Sequence, residues 1–259
     1  MQSTLQKSLA GFSDLDPAHL PWRQRLEALL STGVSAGADL VEVFLERTDH
    51  LGVLAEQDTI TSVSPSFGMG AGIRVFRSGR DGFVSTNDLS DQGLAEALQQ
   101  ALAMLQLDSS ILASSGGFDG LGKLRDYGAS KNNWLDCTPD LVTITQRLLE
   151  GTDCLQKRGQ HLDVRRGSFA RDWQEVLVAA SDGTFARDIR LHQSSGLSVL
   201  AADGEHRSSI ARRYGSTDRP DDLCRWNVDA SAQEVCDSAA KMLRADYVDG
   251  GQMPVVLAN

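Results

Sequence analysis

The chain has 259 residues, of which 25 are Lys or Arg and 35 are Asp or Glu, so its formal net charge at pH 7 is −10. This acidic balance argues against non-specific binding of nucleic acid, which depends on cations that neutralise phosphates. Hydrophobic residues make up 41% of the chain, which is ordinary for a soluble protein with a packed core. No apolar run approaches the length that spans a bilayer, and we expect no membrane association.

The cysteines are far apart and form no C-x-x-C pair: Cys137, Cys154, Cys224 and Cys236. Disulfide frameworks and zinc knuckles need tighter spacing, so the pattern favours reduced thiols. The first ten residues are polar and lack the apolar core of a signal peptide. We therefore expect a cytoplasmic protein.

Residues 1–108 predict an α+β unit in which helices cover one face of an antiparallel sheet. Leucines at roughly helical spacing predict a helix from Pro17 to Ser31, with Gly33 as its stop. Apolar and polar residues alternate from Asp39 to Thr48, which predicts a half-buried strand. The pattern continues from His50 to Gln57, where we expect a second antiparallel strand.

The stretch from Gly68 to Asp88 predicts a β-hairpin, because two apolar runs flank the glycine-bearing turn Ser78 to Gly82. Ser90 is then placed to cap a helix that would cover the sheet. The predicted apolar face of that helix comprises Leu94, Leu98, Ala101, Leu102 and Leu105. The N-terminal unit is thus expected to contain a helix, four strands and a second helix.

Residues 109–136 form a glycine-rich stretch without clear periodicity, which indicates either a mobile lid or a functional loop. Thr138 and Pro139 then predict the start of a helix with proline at its first helical position. We expect this helix, within residues 137–160, to complete the N-terminal domain.

From residue 161 onward the apolar residues recur with a period of two, which predicts an antiparallel meander. Its expected strands are residues 163–170, 175–180, 185–192, 197–202 and 205–213. Asp229 or Ser231 can cap a last helix, and the run from Met253 to Leu257 predicts an orphan or edge strand. The predicted fold is α+β: an antiparallel sheet with covering helices, followed by a β-meander in residues 161–259 that begins a second, truncated C-terminal domain.

The glycine pattern Gly68-x-Gly70-x-Gly72 raises the question of phosphate binding. A dinucleotide fingerprint needs a strand before the glycines and a helix after them, and here a strand follows. The pattern therefore favours a close strand crossing or a bulge over a phosphate cradle.

The histidines show no H-E-x-x-H motif and no i, i+4 pair on a helix: His19, His50, His161, His192 and His206. His192 and His206 flank the Asp203-Gly204 turn and could face each other across a hairpin. Isolated strand histidines are more often structural, so we predict no metal ligand in this chain.

The remaining candidate nucleophiles and charged pairs also lack an activating context, since no G-x-S-x-G elbow occurs. The candidates are the four cysteines, Ser194-Ser195-Gly196, Ser208-Ser209, Asp221-Asp222 and Arg212-Arg213. We predict no catalytic, cofactor-binding or metal residue in this chain.

Three segments in order resemble the TldD/PmbA family of metallopeptidases, which are also labelled modulators of DNA gyrase. They are GMGAGIRVFRSGRDGFVSTNDLS with its following helix, SDGTFARDIR, and the last helix with GGQMPVVLAN. The resemblance extends from about residue 37 to the last residue, and the MPVVLAN ending is more similar to the TldD branch than to the PmbA (TldE) branch.

The resemblance implies that an H-E-x-x-x-H helix, which holds zinc in the family, follows PVVLAN. This chain ends before that motif, so the expected zinc of the full-length protein has no ligand here. The implied protein is the N-terminal portion of a TldD-like zinc metallopeptidase that hydrolyses unfolded or flexible peptides beside a TldE/PmbA-like subunit, or self-associates. We expect this portion to be inactive alone.

The sequence leaves two alternative functions open. The chain could be a stand-alone, non-catalytic module that binds a peptide or a partner through exposed strand edges. Direct action on a gyrase–DNA complex fits the label of the family but finds no support in the net charge of −10.

Overall fold

The computed structural model of the chain describes residues 20–107, 118–131, 133–246 and 250–257. Its helices are α1 (Leu20–Ser35), α2 (Asp91–Met104), α3 (Leu141–Arg158), α4 (Asp222–Arg225) and α5 (Val228–Leu243), with a short 3₁₀ turn at Ala129–Lys131. Its strands are β1 (Leu40–Glu56), β2 (Thr59–Arg77), β3 (Arg80–Thr86), β4 (Arg125–Asp126), β5 (Leu162–Ala180), β6 (Phe185–Asp203) and β7 (His206–Thr217).

The strands form one seven-stranded sheet in the order β3-β2-β1-β5-β6-β4, and β7 also pairs with β6. Every pairing is antiparallel except the short parallel contact between β4 and β6. β1 pairs with β5 continuously from Glu42–Ala180 to Glu56–Arg166, so the first and second halves of the chain share this sheet. The predicted α+β class with a mainly antiparallel sheet is confirmed, whereas the predicted domain boundaries stay a prediction.

The helices pack on one face of the sheet and create two apolar cores. The first core, under α1 and α2, contains Leu26, Leu98, Val43, Ile73 and Leu177. The second core, under α3 and α5, contains Leu148, Phe169, Leu197, Val199 and Val235. Burial of these side chains makes the main favourable contribution to the free energy of packing the helices on the sheet.

A segment without long helices or strands, residues 118–139, crosses the helix-bearing face between these cores. Trp134 and Leu135 of this crossing segment pack on the buried side chains of Trp173, Ile189 and Leu191. The part of the predicted 109–136 loop that the structure describes is therefore packed on the sheet, while residues 109–117 and 132 lie outside the described residues.

The strands are longer and fewer than the sequence pattern predicts. Residues 50–57 were expected to form a separate strand, but β1 runs unbroken to Glu56, and its neighbour is Thr59–Arg77. Likewise, residues 161–217 form three long strands instead of the five that were expected. Polar residues in the middle of β5 and β6 stay in register with their neighbours and do not interrupt these strands. Ser78 and Gly79 both have positive φ (48° and 76°), which makes the predicted hairpin turn a two-residue type I′ turn.

Several helix ends also differ from the predicted ones. Gly33 lies inside α1, where a Cβ would come within 2.6 Å of Val41 Cγ2, so its role is close packing on β1. Asp140 caps α3 through the Thr143 amide, and Pro139 precedes the cap rather than opening the helix.

The predicted caps and apolar faces can be checked directly at α2 and α5. Ser90 accepts a hydrogen bond from the Gly93 amide, and the five predicted apolar residues of α2 are buried, as expected. For α5 the predicted caps are wrong, since Asn227 accepts from the Ala230 amide. The run Met253–Leu257 forms no strand and is exposed to solvent, because nothing among the described residues covers it.

Candidate functional site

The face of the sheet opposite the helices is uncovered by any described element, and we call it the open face. Five of its residues form one row across five strands through direct pairing: Ser66, His50, Asp172, His192 and Thr217. His50 Nδ1 lies 2.6 Å from Asp172 Oδ1, and His192 Nδ1 lies 3.2 Å from Thr217 Oγ1. The open face thus offers a polar band of hydrogen-bonding groups.

The two histidines of this row lie on separate strands. Their backbones are about 10 Å apart because His50 and His192 are separated by two strand spacings, and their Nδ1 atoms contact Asp172 and Thr217. Within the described residues no group of three His, Cys, Asp or Glu side chains could hold a metal ion.

The expectation that His192 and His206 face each other is wrong. His206 pairs with Asp203 beside the turn, whereas His192 pairs with Thr217 at the far end of β7, because the hairpin is long. His19 lies outside the described residues.

Gly68, Gly70 and Gly72 lie inside β2 with their missing side chains on the open face. A Cβ at Gly68 would come within 2.7 Å of Thr48 Oγ1, and one at Gly72 within 3.0 Å of the Phe83 ring. Neighbouring side chains therefore use this space, which supports close approach rather than a phosphate cradle. The shallow groove over these glycines measures about 420 Å³.

A buried charge cluster lies on the helix-bearing face beneath the crossing segment. Glu175 is only 2% exposed, and its Oε1 accepts from Arg187 Nε and Nη2 at 2.8 and 2.6 Å. Arg187 Nη1 lies 3.1 Å from Asp126 Oδ2, and Arg47 Nη2 lies 3.5 Å from Glu175 Oε2. Burial lowers the pKa of Arg47, and the charge of Glu175 opposes that shift.

The contacts of this cluster indicate a structural role. Arg47 also stacks 4.4 Å from the centre of the Trp173 ring, so its cation is held between an acid and an aromatic face. Asp126 belongs to β4, which means that the cluster fastens the crossing segment to the centre of the sheet.

Among the candidate nucleophiles and charged pairs, Ser195 and Asp222 line one cleft of about 380 Å³, beside Tyr214 and Glu234. Burial raises the pKa values of the Cys154 and Cys236 thiols, which is the opposite of nucleophile activation. Asp221 Oδ2 accepts from Arg225 Nε at 2.7 Å, and Arg212 Nε donates to Glu234 Oε1 at 2.8 Å. The serine pairs Ser194-Ser195 and Ser208-Ser209 lie within β6 and β7.

The part of β2 beyond its pairing with β3 is a functional candidate that the sequence reasoning missed. β3 covers only Ala71–Arg77, so residues 62–70, which we call the free edge, have β1 on one side and no strand beside them among the described residues. Val63, Phe67 and Met69 of this edge are 41%, 47% and 38% exposed. The signal in the sequence is the absence of any charged residue from Thr59 to Ile73.

No helix among the described residues is long and apolar enough to cross a membrane.

Two sequence models of one family match this chain. The model described as "PmbA/TldA metallopeptidase domain 1" matches residues 41–105, which run from β1 to the end of α2. The model described as "PmbA/TldA metallopeptidase central domain" matches residues 140–243, which run from α3 to the end of α5.

Solved structures with the same fold agree with these matches. TldE from Thermococcus kodakarensis superimposes with a TM-score of 0.65 at 19% identity, over 83% of this chain and 47% of that one. A putative modulator of DNA gyrase from Bacteroides thetaiotaomicron gives 0.62 at 15% identity, over 88% and 52%. Another from Thermotoga maritima gives 0.64 at 10% identity, over 89% and 50%. The chain therefore spans about half the length of each structure that it matches.

Proposed function

Because this chain belongs to the PmbA/TldD metallopeptidase family, we propose that it supplies the first and central domains of a TldD-like zinc metallopeptidase that hydrolyses unfolded or flexible peptides. The observation that carries this proposal is the shared sheet, in which β1 of the first matched region pairs along its length with β5 of the second. The two domains act as one frame, with an open face and a free edge available to a polypeptide.

The described residues do not fit the zinc of the proposed peptidase. Four histidines are described, and His50 and His192 make their hydrogen bonds to Asp172 and Thr217 within the open-face row. No three suitable ligands lie together in residues 20–107, 118–131, 133–246 and 250–257. We therefore assign no catalytic step to these residues and place the zinc-binding groups elsewhere in the proposed enzyme.

The partner and the cellular location are part of the same proposal. One structural neighbour is titled TldE, and we propose that this chain assembles with a TldE/PmbA-like subunit or with a second copy of itself. Its free cysteines support a cytoplasmic location. Its net charge of −10 supports a peptide rather than DNA as the ligand.

The proposal predicts that the purified chain is inactive alone. The chain is incubated with zinc and a flexible, unstructured peptide, and the products are followed by mass spectrometry with and without a chelator. We expect no cleavage from the chain alone and chelator-sensitive cleavage when the H-E-x-x-x-H domain is supplied. Chelator-sensitive cleavage by the chain alone would overturn the assignment.

A second candidate function, a stand-alone module that binds a peptide or a partner, is favoured by the free edge of β2. The nucleotide sequence after the codon for Asn259 separates the two candidates. An in-frame H-E-x-x-x-H motif supports the peptidase, and a stop codon supports the module.

A further inference from the structure

Alternate residues of the free edge direct their backbone N–H and C=O groups outward in the plane of the sheet, to the side opposite β1. In a two-residue hairpin the residues that flank the turn, Arg77 and Arg80, form a hydrogen-bonded pair. Hydrogen-bonded and non-hydrogen-bonded pairs alternate along an antiparallel ladder, so Ala71 also directs its N–H and C=O towards β3. The same alternation directs the backbone of Met69, Phe67 and Val63 to that side, where the described residues provide no partner.

Pro65 agrees with this assignment of backbone direction. Proline has no N–H and occurs in sheets mainly where that position faces a free edge. The edge therefore offers N–H donors at Val63, Phe67 and Met69, and carbonyl acceptors at these residues and at Pro65. Pro65 leaves a gap of one donor in the middle of this row.

β7 and β3 are protected against added strands by charge or by short length, whereas the free edge has only Pro65, which removes one backbone donor. β7 carries charged or titratable side chains at His206, Arg207, Arg212 and Arg213. β3 is only seven residues long and begins with Arg80 and Asp81. Charged side chains and short length are the usual ways in which proteins block edge-to-edge pairing. Their absence between Thr59 and Ile73, in a chain of net charge −10, marks this edge as a place where a strand is accepted.

The side chains of the edge define the chemistry of its ligand. Val63, Phe67 and Met69 lie on the helix-bearing face and remain substantially exposed, so an added strand gains apolar contacts on that face. On the open face the same stretch presents Ser64, Ser66 and the glycines, which favour small polar neighbours. No charged group of the edge can pair with a charged peptide.

We propose that the free edge of β2 binds an extended, uncharged peptide segment as an additional strand, with apolar side chains at alternate positions. This inference names a ligand class and a site for the proposed peptidase, but binding at the edge does not require zinc or the partner subunit. Main-chain hydrogen bonds would supply affinity with little dependence on sequence, which suits a flexible peptide substrate.

Binding is measured on the full chain by fluorescence anisotropy with a dye-labelled peptide in which valine alternates with serine and glutamine. Val63→Lys places a charge on the edge and is expected to weaken binding by about tenfold or more. Met242→Lys, at an exposed apolar position on α5, is the control and is expected to bind like the parent. A peptide with N-methylated backbone amides is expected not to bind.

Hydrogen exchange locates the bound peptide. The amides of Val63, Phe67 and Met69 are expected to exchange more slowly in its presence, and those of β7 are not. Absence of binding, equal binding by Val63→Lys, or protection elsewhere would overturn the inference. Sedimentation that shows self-association through this edge, with no competition by the peptide, would replace the peptide by a second copy of the chain. Because none of these readouts uses catalysis, they can fail while the proposed peptidase function stands.

Discussion

The two ends of the helix-bearing face and its middle are held by different forces. At the ends, apolar side chains of α1, α2, α3 and α5 pack on the sheet. In the middle, a buried ion cluster is added to the packing of Trp134 and Leu135, and it comprises Asp126, Arg187, Glu175 and Arg47. Apolar packing tolerates small shifts, whereas a buried ion cluster requires every partner to be present. The comparison indicates that the ion cluster fixes the crossing segment at β4, whereas Leu121 of the same segment is held by packing in the first core.

The largest expected effect comes from removing the central acid of this cluster. Glu175→Ala leaves Arg47 and Arg187 buried with less compensation, which is expected to cost about 3–5 kcal/mol of unfolding free energy. Denaturant unfolding measures this loss. Asp81→Ala, which breaks the exposed pair with Arg74, is the control and is expected to leave the midpoint nearly unchanged. Equal small effects in both variants would contradict a special role for the middle.

Loss of apolar packing at one end is expected to have a comparable or somewhat smaller effect. Leu148 is fully buried between α3 and the sheet, and Leu148→Ala is expected to cost about 2–5 kcal/mol. Amide hydrogen exchange distinguishes the two regions. Leu148→Ala is expected to increase exchange in α3, whereas Glu175→Ala is expected to increase it in the crossing segment at β4. The reverse pattern would show that the ends position the crossing segment.

A substitution at the N-cap Ser90 measures how much capping stabilises α2. Ser90 accepts from the Gly93 amide at 3.0 Å, and Ser90→Ala is expected to cost about 1 kcal/mol. Ser90→Asn keeps a capping oxygen and is expected to recover most of this loss, as measured by thermal unfolding. If both variants were equally destabilised, the hydrogen bond would not be the cause.

The smallest effect concerns thiol reactivity and leaves stability unchanged. Burial raises the pKa values of Cys154 and Cys236, so less thiolate is present at each at mildly alkaline pH than in an unshifted thiol. Cys137 and Cys224 are exposed. Iodoacetamide at that pH is expected to modify the exposed pair first, as followed by peptide mass mapping. Rapid modification of Cys236 would show that α5 opens readily.

The sequence predicted the parts of this fold that depend on local chemistry. A turn within Ser78 to Gly82, the Ser90 cap and the apolar face of α2 follow from residue types a few positions apart, and all are present, although the turn itself is only Ser78-Gly79. Strand length could not be predicted in this way. Residues such as Asp172 and His192 interrupt the apolar pattern because they belong to the polar row of the open face, and this pairing is visible only in the sheet.

The candidate sites also divide into those that local sequence predicts and those that depend on strand pairing. The sequence favoured a close strand crossing at the glycines, because a strand follows them, and the short contacts that a Cβ would make at Gly68 and Gly72 agree with this. It did not reveal the free edge, since the end of β3 at Thr86 and the length of β2 together create it. The proposed pairing of His192 with His206 failed because the β6–β7 hairpin extends far beyond its turn.

Zinc content tests most directly the central claim that these residues form a frame without a catalytic metal site. The purified chain is equilibrated with zinc, freed of loosely bound metal by gel filtration, and analysed by elemental mass spectrometry. We predict that essentially no zinc stays with the protein. Retention of about one zinc per chain, lost on replacing His50 or His192 by alanine, would contradict the claim and place a metal centre on the open face.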